Sequence, residues 1–227
     1  MGLWRLDSIV AHLKYKFVTP SDNKKIQHIA VAGNIGAGKT TLAEKLGKHF
    51  GWDIFYEDVD ENPYLADFYG NMRRWSFNLQ VYFLNSRFAQ VQEIRAHDKP
   101  VIQDRTIYED AHIFAPNLYE MNLMQQRDFE TYIRLFKNIS SLVAPPDLLI
   151  YLHAPLPALM KQIKRRGRNY ESKIRPDYLA SLNQYYESWI ENYKNKVLVI
   201  NINEVNFADN EDDLKSVIAK VQKAIDS

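Results

Sequence analysis

The 227-residue chain contains no cysteine, which excludes disulfides, cysteine-ligated zinc and thiol catalysis. No apolar run approaches the ~20 residues that a helical membrane span requires. Neither charge is in surplus: 29 Lys and Arg face 28 Asp and Glu, for a net charge of +1. That balance argues against a protein whose main task is coating a nucleic-acid polymer or an acidic membrane surface. Internal repeats, low-complexity segments and interdomain linkers are also missing. What is present is ordinary for a soluble globular chain, 46% hydrophobic and 25% charged. A chain of this length forms one domain that buries roughly 70–75% of its unfolded surface. The unusual count is aromatic, with 14 Tyr, 11 Phe and 4 Trp.

Residues 1–25 read as an N-terminal helical extension. Leu3, Leu6, Ile9, Val10, Leu13 and Phe17 recur at helical spacing before Thr19-Pro20-Ser21-Asp22-Asn23 breaks the pattern. The stretch lacks the apolar core of a signal peptide and is not arginine-rich, so it reads as a helix laid on the domain or on a partner subunit. From residue 26 to 227, short apolar runs alternate with longer helical stretches, the pattern of an α/β domain. Strands are expected at Ile26–Ala32, Asp53–Glu57, Pro100–Asp104, Asp147–His153 and Val197–Asn201. Continuous apolar runs such as Leu148-Leu149-Ile150-Tyr151-Leu152 suit parallel strands covered on both faces. Helical periodicity covers Thr40–Phe50, Trp75–Ala96, Asn122–Leu142, Pro155–Arg166, Pro176–Asn195 and Glu211–Ala224.

Gly33-Asn34-Ile35-Gly36-Ala37-Gly38-Lys39-Thr40, followed by Thr41, satisfies G-x-x-x-x-G-K-[ST] between an expected strand and an expected helix. The glycines let backbone N–H groups turn toward phosphate oxygens, and the helix N-terminus adds the positive end of its dipole. In such a loop Lys39 reaches the β- and γ-phosphates of ATP, and the Thr40 hydroxyl ligates Mg²⁺. No Asn-Lys-x-Asp guanine reader occurs, which speaks against a GTPase, and nothing resembles an ABC signature.

Three further features narrow the class. Glu57-Asp58-Val59-Asp60-Glu61 follows the second strand, at the carboxyl edge of the sheet where ligands bind. Carboxylates there suit an acceptor hydroxyl that must lose a proton, and would repel an acceptor that is already phosphorylated. Gln103-Asp104-Arg105-Thr106 ends the third strand: Asp104 can hold Mg²⁺ directly or through water, and Arg105 can hold the acceptor oxygen and the transferred group. Finally, Lys161, Lys164, Arg165, Arg166 and Arg168 cluster around Gly167, where a hinged cationic lid would begin. Each feature also has a plain structural reading, as an acidic loop, a surface pair or a solvated helix end.

With Gly33–Thr41, Glu57-Asp58-Val59, Asp104-Arg105-Thr106 and Arg166-Gly167-Arg168-Asn169-Tyr170-Glu171 in this order, the chain resembles the deoxynucleoside kinase family from about Ile26 to its C-terminus. It is similar to the bacterial deoxyadenosine/deoxyguanosine kinases. The resemblance implies a P-loop NTPase-type three-layer α/β/α fold, a five-stranded parallel sheet of order 2-3-1-4-5, a helical lid and a cytoplasmic homodimer. The reaction it implies is transfer of the ATP γ-phosphoryl group to a 5′-hydroxyl with Mg²⁺, deoxyadenosine ahead of deoxyguanosine and deoxycytidine. Carried over by position, Glu57 is the general base and Arg105 its electrophilic partner, with Lys39 on the phosphates. Thr40 and Asp104 are assigned to the metal. Tyr69 and Glu171 are assigned to the sugar 3′-hydroxyl, Gln80, Arg87 and Asp110 to the base, and Arg166 and Arg168 to the donor phosphates.

Gln80 and Arg87 are seven residues apart, so on a helix they point the same way within ~20°. A Gln amide offers one donor and one acceptor side to a nucleobase edge, and Asp110 would offset the buried charge of Arg87. Asp58 stands where many members have Pro, Gln162 where Arg is common, and Asn201-Ile202-Asn203-Glu204 has Asn for the usual Asp of the adenine-contacting loop. A nucleoside monophosphate kinase of the same fold, or a catalytically silent nucleotide binder, stays open as an alternative.

Overall fold

The computed structural model describes residues 26–59 and 61–227, so the expected extension over residues 1–25 lies outside the described residues. Five strands form one sheet: β1 (His28–Gly33), β2 (Asp53–Phe55), β3 (Val101–Asp104), β4 (Leu148–His153) and β5 (Val197–Asn201). Their order is β2-β3-β1-β4-β5, and every neighbouring pair is parallel. Around it run α1 (Lys39–Phe50), α2 (Leu65–Gly70) and α3 (Met72–Arg95). A composite helix α4 joins Ile107–Glu109, a π-helical turn Asp110–Phe114 and Ala115–Glu120. It is followed by α5 (Gln126–Ser140), α6 (Leu156–Arg166), a short 3-10 turn (Asn169–Lys173), α7 (Pro176–Glu191) and α8 (Glu211–Asp226).

Strand periodicity of two sends alternate side chains to opposite faces and so builds two cores. Ile29 and Val31 of β1 and Leu148, Ile150 and Leu152 of β4 pack with Leu42 and Leu46 of α1, Leu159 of α6, and Val217 and Val221 of α8. Ala30, Ala32, Leu149 and Tyr151 face the other way, onto Leu84 of α3, Phe129 and Phe136 of α5, and Tyr186 of α7. The result is three layers. Much of the aromatic surplus lies in the second core, where Tyr132, Tyr178, Tyr186, Phe129 and Phe136 are fully buried.

The expected strands recur with small shifts at their ends. The second stops at Phe55 rather than Glu57, because β2 pairs only with β3 and their register closes at Phe55 opposite Gln103. Beyond it the Tyr56 carbonyl accepts from Gln90 Nε2 of α3 at 2.6 Å instead of from a strand. Two helices carry no clear stripe: α2, which is only 6 residues long, and α4. In α4, Ile107, Glu109, Asp110, Ile113, Phe114, Asn117 and Leu118 are all buried, and a helix buried all round shows no amphipathic period. Gly167 ends α6 in the left-handed conformation, φ 70°, its N–H bonded to the Ile163 carbonyl.

Candidate active site

The chain fills the β2–β3 side of β1 first and then crosses to place β4 and β5 on its other side, which makes the carboxyl end of β1 the switch point where open α/β sheets take their ligands. A cleft of about 520 Å³ opens there. Its wall includes Ile35, Gly36, Gly38, Lys39, Thr40 and Thr41 on one side, and Tyr69, Gln80, Asp110, Arg105 and Glu57 on the other. Arg166, Arg168 and Glu171 close the rim. Gly33, Asn34, Ala37 and Arg87 stand behind this wall. The Asn34 side chain points away from it, donating to the Leu179 carbonyl at 3.0 Å and to Asn183 Oδ1 at 2.6 Å, so it anchors the loop to α7.

Two glycines of the loop have no tolerable replacement. At Gly36, with φ +84°, a Cβ would come within 2.9 Å of both Ile163 Cγ1 and the Leu159 carbonyl oxygen of α6. Gly38, with φ +93°, lies against the Phe207 ring. The Lys39 ammonium folds back onto the loop, donating to the Gly33 carbonyl at 2.9 Å and the Asn34 carbonyl at 3.2 Å. Burial lowers its pKa to about 8, and the nearby Arg105 cation pushes the same way. Thr40 Oγ1 donates to Asp104 Oδ2 at 2.5 Å, while Asp104 Oδ1 is buried with no hydrogen-bond partner. A buried carboxylate oxygen without a partner beside a hydroxyl is a donor set that fits Mg²⁺, an ion often held by one or two protein oxygens plus phosphates and water.

Across the cleft, Glu57 ion-pairs with Arg87 Nη2 at 2.8 Å and Arg105 Nε at 3.1 Å. Burial pushes the Glu57 carboxyl up, but Arg105, Arg87, Lys39 and Arg166 outweigh it and hold the pKa at about 2. Glu57 is therefore ionised throughout the neutral range. Among the described carboxylates of the acidic run it is the one in the cleft wall, which corrects the expectation that the whole run faces the acceptor. Asp58 turns outward instead and accepts from Tyr82 at 2.7 Å and Ser86 at 3.2 Å. Tyr56, Glu57 and Asp58 are thus tied to α3 at three successive residues.

Arg105 adopts φ +71°, a left-handed backbone that costs a non-glycine residue roughly 1–2 kcal/mol. Its N–H donates to the Val31 carbonyl at 3.0 Å, and its guanidinium lies 4.5 Å over the Phe114 ring. Arg87 divides its guanidinium, with Nη1 on Asp110 Oδ2 at 2.7 Å, and stacks over Phe83 at 4.4 Å. Burial raises the Asp110 carboxyl to about 7 against the pull of Arg87 and Arg105. Beside this pair, Gln80 Oε1 is buried without a partner. At the rim Tyr69 stacks on Tyr170 with ring centroids 5.7 Å apart. Arg166 grips Glu171 with two hydrogen bonds, Nε to Oε2 at 3.0 Å and Nη2 to Oε1, and Arg168 Nη1 lies 3.8 Å from the same carboxylate.

Several contributors were not anticipated from sequence: the ring platforms Phe83 and Phe114, the Asp58 tether, and Glu109 with Tyr186 behind the wall. Only Glu109 carried a readable signal, as the last residue of a Thr106-x-x-Glu109 capping box.

A parallel sheet in this order, with a glycine-rich phosphate loop leaving its central strand, places the chain among the P-loop phosphotransferases. The chain belongs to the deoxynucleoside kinase family, whose profile matches residues 29–226. It is 42% identical over 184 residues to a deoxyadenosine kinase of Dictyostelium discoideum, covering 81% of this chain and 75% of that one. It is 36% identical over 202 residues to a deoxyadenosine/deoxycytidine kinase of Bacillus subtilis, with coverages of 87% and 92%. Among solved structures, a deoxyadenosine kinase from M. mycoides with bound dATP superposes with a TM-score of 0.78 at 31% identity, covering 88% of this chain and 100% of that one. Membership makes the protein an enzyme that phosphorylates deoxynucleosides, and sets aside the monophosphate-kinase and silent-binder readings.

Proposed function

We propose that the protein transfers the γ-phosphoryl group of ATP to the 5′-hydroxyl of a deoxynucleoside in salvage, with deoxyadenosine preferred over deoxyguanosine and deoxycytidine. The observation that carries this reading is the ionised Glu57, clamped between Arg87 and Arg105 across the cleft from Lys39 and Thr40. Glu57 accepts the 5′-hydroxyl proton as the hydroxyl attacks phosphorus, and Arg105 stabilises negative charge on the transferred group. A carboxylate with pKa near 2 is a weak base. It suffices because phosphoryl transfer passes through a loose transition state in which positioning and charge neutralisation dominate.

Lys39 leaves the Gly33 and Asn34 carbonyls for the β- and γ-phosphates, joined by Arg166 and Arg168 of the lid. Thr40 and Asp104 would hold Mg²⁺, which when bound neutralises charge on the phosphate oxygens. Tyr69 and Glu171 take the sugar 3′-hydroxyl. Gln80 offers its unpartnered Oε1 to the exocyclic amine of adenine, and the Arg87–Asp110 pair completes the base edge. Names of similar proteins support the base order, since a deoxyadenosine kinase and a deoxyadenosine/deoxycytidine kinase are among them. The family resemblance extends the reading to a cytoplasmic homodimer built on residues 26–227, which sedimentation equilibrium tests.

Glu57→Gln keeps the side chain's shape and removes its charge. Turnover should fall by about 10²–10⁴ while deoxyadenosine affinity stays within a few-fold. Full turnover would overturn the base assignment. Competition among the four deoxynucleosides at equal concentration with ATP and Mg²⁺ tests the acceptor, and a lead for any base other than adenine would replace the order given above.

A further inference from the structure

Behind the cleft wall, Glu109 is fully buried yet takes no part in the chemistry proposed above. Its Oε2 accepts from the Thr106 backbone N–H at 2.7 Å and from Thr106 Oγ1 at 3.2 Å, which closes the capping box at the start of α4. A capping glutamate needs nothing more, and ordinarily leaves its other oxygen to water. Here Oε1 accepts instead from the Gly33 N–H at 3.3 Å and the Tyr186 hydroxyl at 2.7 Å. All four donors point at one carboxylate, which is what burying that charge requires. The carboxylate consequently ties the first residue of the phosphate loop to the turn that carries Arg105. That turn needs holding, because Arg105 sits at φ +71°.

The same contact extends to Lys39. The Gly33 carbonyl accepts from Lys39 Nζ at 2.9 Å and lies 2.8 Å from the Tyr186 hydroxyl. Tyr186 has one hydroxyl proton and two acceptors in reach, Gly33 O and Glu109 Oε1. While Lys39 holds the carbonyl, that proton can serve Glu109. Once Lys39 turns to a phosphate, the proton can serve the carbonyl, so the loop keeps its conformation when its lysine moves.

We propose that Glu109, seconded by Tyr186, is a positioning residue for phosphoryl transfer: it fixes the separation between the Gly33–Lys39 loop, which holds the donor phosphates, and Arg105, which meets the acceptor. The proposal rests on the roles given above to Lys39 and Arg105. Glu109→Gln preserves volume but sets an NH₂ group against N–H or O–H donors, which breaks one side of the brace. Turnover at saturating substrates should drop about 10–100-fold, the cost of misplacing reacting groups by a fraction of an ångström to an ångström. The deoxyadenosine KM should change less than about threefold, because the loss falls on the transition state.

The decisive measurement is a double-mutant cycle with Arg105→Lys. Since Glu109 acts through Arg105, the double variant should turn over about as slowly as Arg105→Lys alone. Fully additive losses, or normal turnover in Glu109→Gln beside a damaged Arg105→Lys, would overturn the brace and leave the reading of Arg105 intact. Normal turnover in Arg105→Lys would overturn that reading itself. If Glu109→Gln does not fold, Tyr186→Phe decides: it should lose about three- to tenfold in turnover with an unchanged deoxyadenosine KM, and wild-type turnover would overturn the proposal.

Discussion

Arg87 holds Glu57 through Nη2 at 2.8 Å while its Nη1 holds Asp110 at 2.7 Å, so one guanidinium joins the residue assigned to the hydroxyl proton to a residue assigned to the base. The two functions are then not separable by mutation at Arg87. Burial pushes the Glu57 carboxyl up, and the pull of Arg87 is second only to that of Arg105 among the cations that bring it down to about 2. Arg87→Met should raise the Glu57 pKa by on the order of one unit. Arg87→Lys, which keeps a cation, should move it less. A carbon-13 NMR titration of the Glu57 carboxyl between about pH 2 and 5 checks this, and equal midpoints in wild type and Arg87→Met would refute the coupling. Combined with Asp110→Ala, which removes the carboxylate that Arg87→Met would leave buried and unpaired, the change should also raise the thymidine-to-deoxyadenosine ratio by about 10–100-fold.

Arg166 and Glu171 occupy each other in the free protein, yet are assigned to different substrates. A deoxynucleoside whose 3′-hydroxyl engages Glu171 should release Arg166 for the donor phosphates. The two substrates should then bind synergistically. Calorimetry with 2′,5′-dideoxyadenosine, which keeps the 3′-hydroxyl and cannot be phosphorylated at the 5′ position, should show ATP affinity about five- to tenfold higher than without it. Glu171→Gln frees Arg166 from the outset, and should bind ATP more tightly than wild type in the absence of nucleoside while losing the synergy. Equal ATP affinities in wild type with and without the analogue would sink the exchange.

What could be read from the chain follows from what periodicity and local motifs record. Apolar runs such as Leu148–Leu152 announce covered parallel strands, and Gly33–Thr40 announces a phosphate loop, because both depend on residues adjacent in sequence. The site beyond them depends on contacts across the fold. Asp58 belongs to an acidic run in sequence, but Tyr82 and Ser86, 24 and 28 residues away, decide that it leaves the cleft. Asn34 sits inside the phosphate-loop motif, and Asn183, 149 residues on, turns its side chain away. Helix α4 hides for a different reason: it is buried on every side and interrupted by a π-helical turn, so no stripe marks it. Glu109 shows in sequence only as a helix cap, and its bonds to Gly33 and Tyr186 span 76 and 77 residues.

Lys39 should make donor binding pH-dependent above neutrality. Burial lowers its pKa to about 8 in the free protein, whereas a bound polyphosphate keeps it charged. Below pH 8 the lysine already carries its proton, so ATP affinity should be flat with respect to this group. Above it, binding must take up a proton, and affinity should fall by up to about tenfold per pH unit until the pKa of the bound form is reached. Titration of ATP binding between pH 7 and 10 tests this. A wild-type affinity that stays level from pH 8 to 9.5 would contradict the lowered pKa, as would an equal decline in Lys39→Arg.

His112 should impose a pH dependence on stability through its burial in α4. It stacks on Trp189 at 6.2 Å and meets Phe136 edge-on at 5.9 Å, and burial holds its pKa down to about 4, against 6.5 when exposed. Above pH 6.5 the ring is neutral in both folded and unfolded chains. As pH falls from 6.5 toward 4 the unfolded chain takes up a proton that the folded chain refuses, and up to about 3 kcal/mol of stability is lost. Asp110 works in the opposite sense: burial raises its pKa from 3.8 to about 7, so its contribution grows as pH falls through the same window. The wild-type curve therefore mixes two opposed slopes, and the difference between variants isolates one of them. His112→Phe removes the histidine slope while keeping an aromatic ring. Urea unfolding at pH 7 and pH 5 should find the variant gaining stability relative to wild type at the lower pH, by about 1–2 kcal/mol. A difference between the two proteins that does not change with pH would show that His112 is not held neutral.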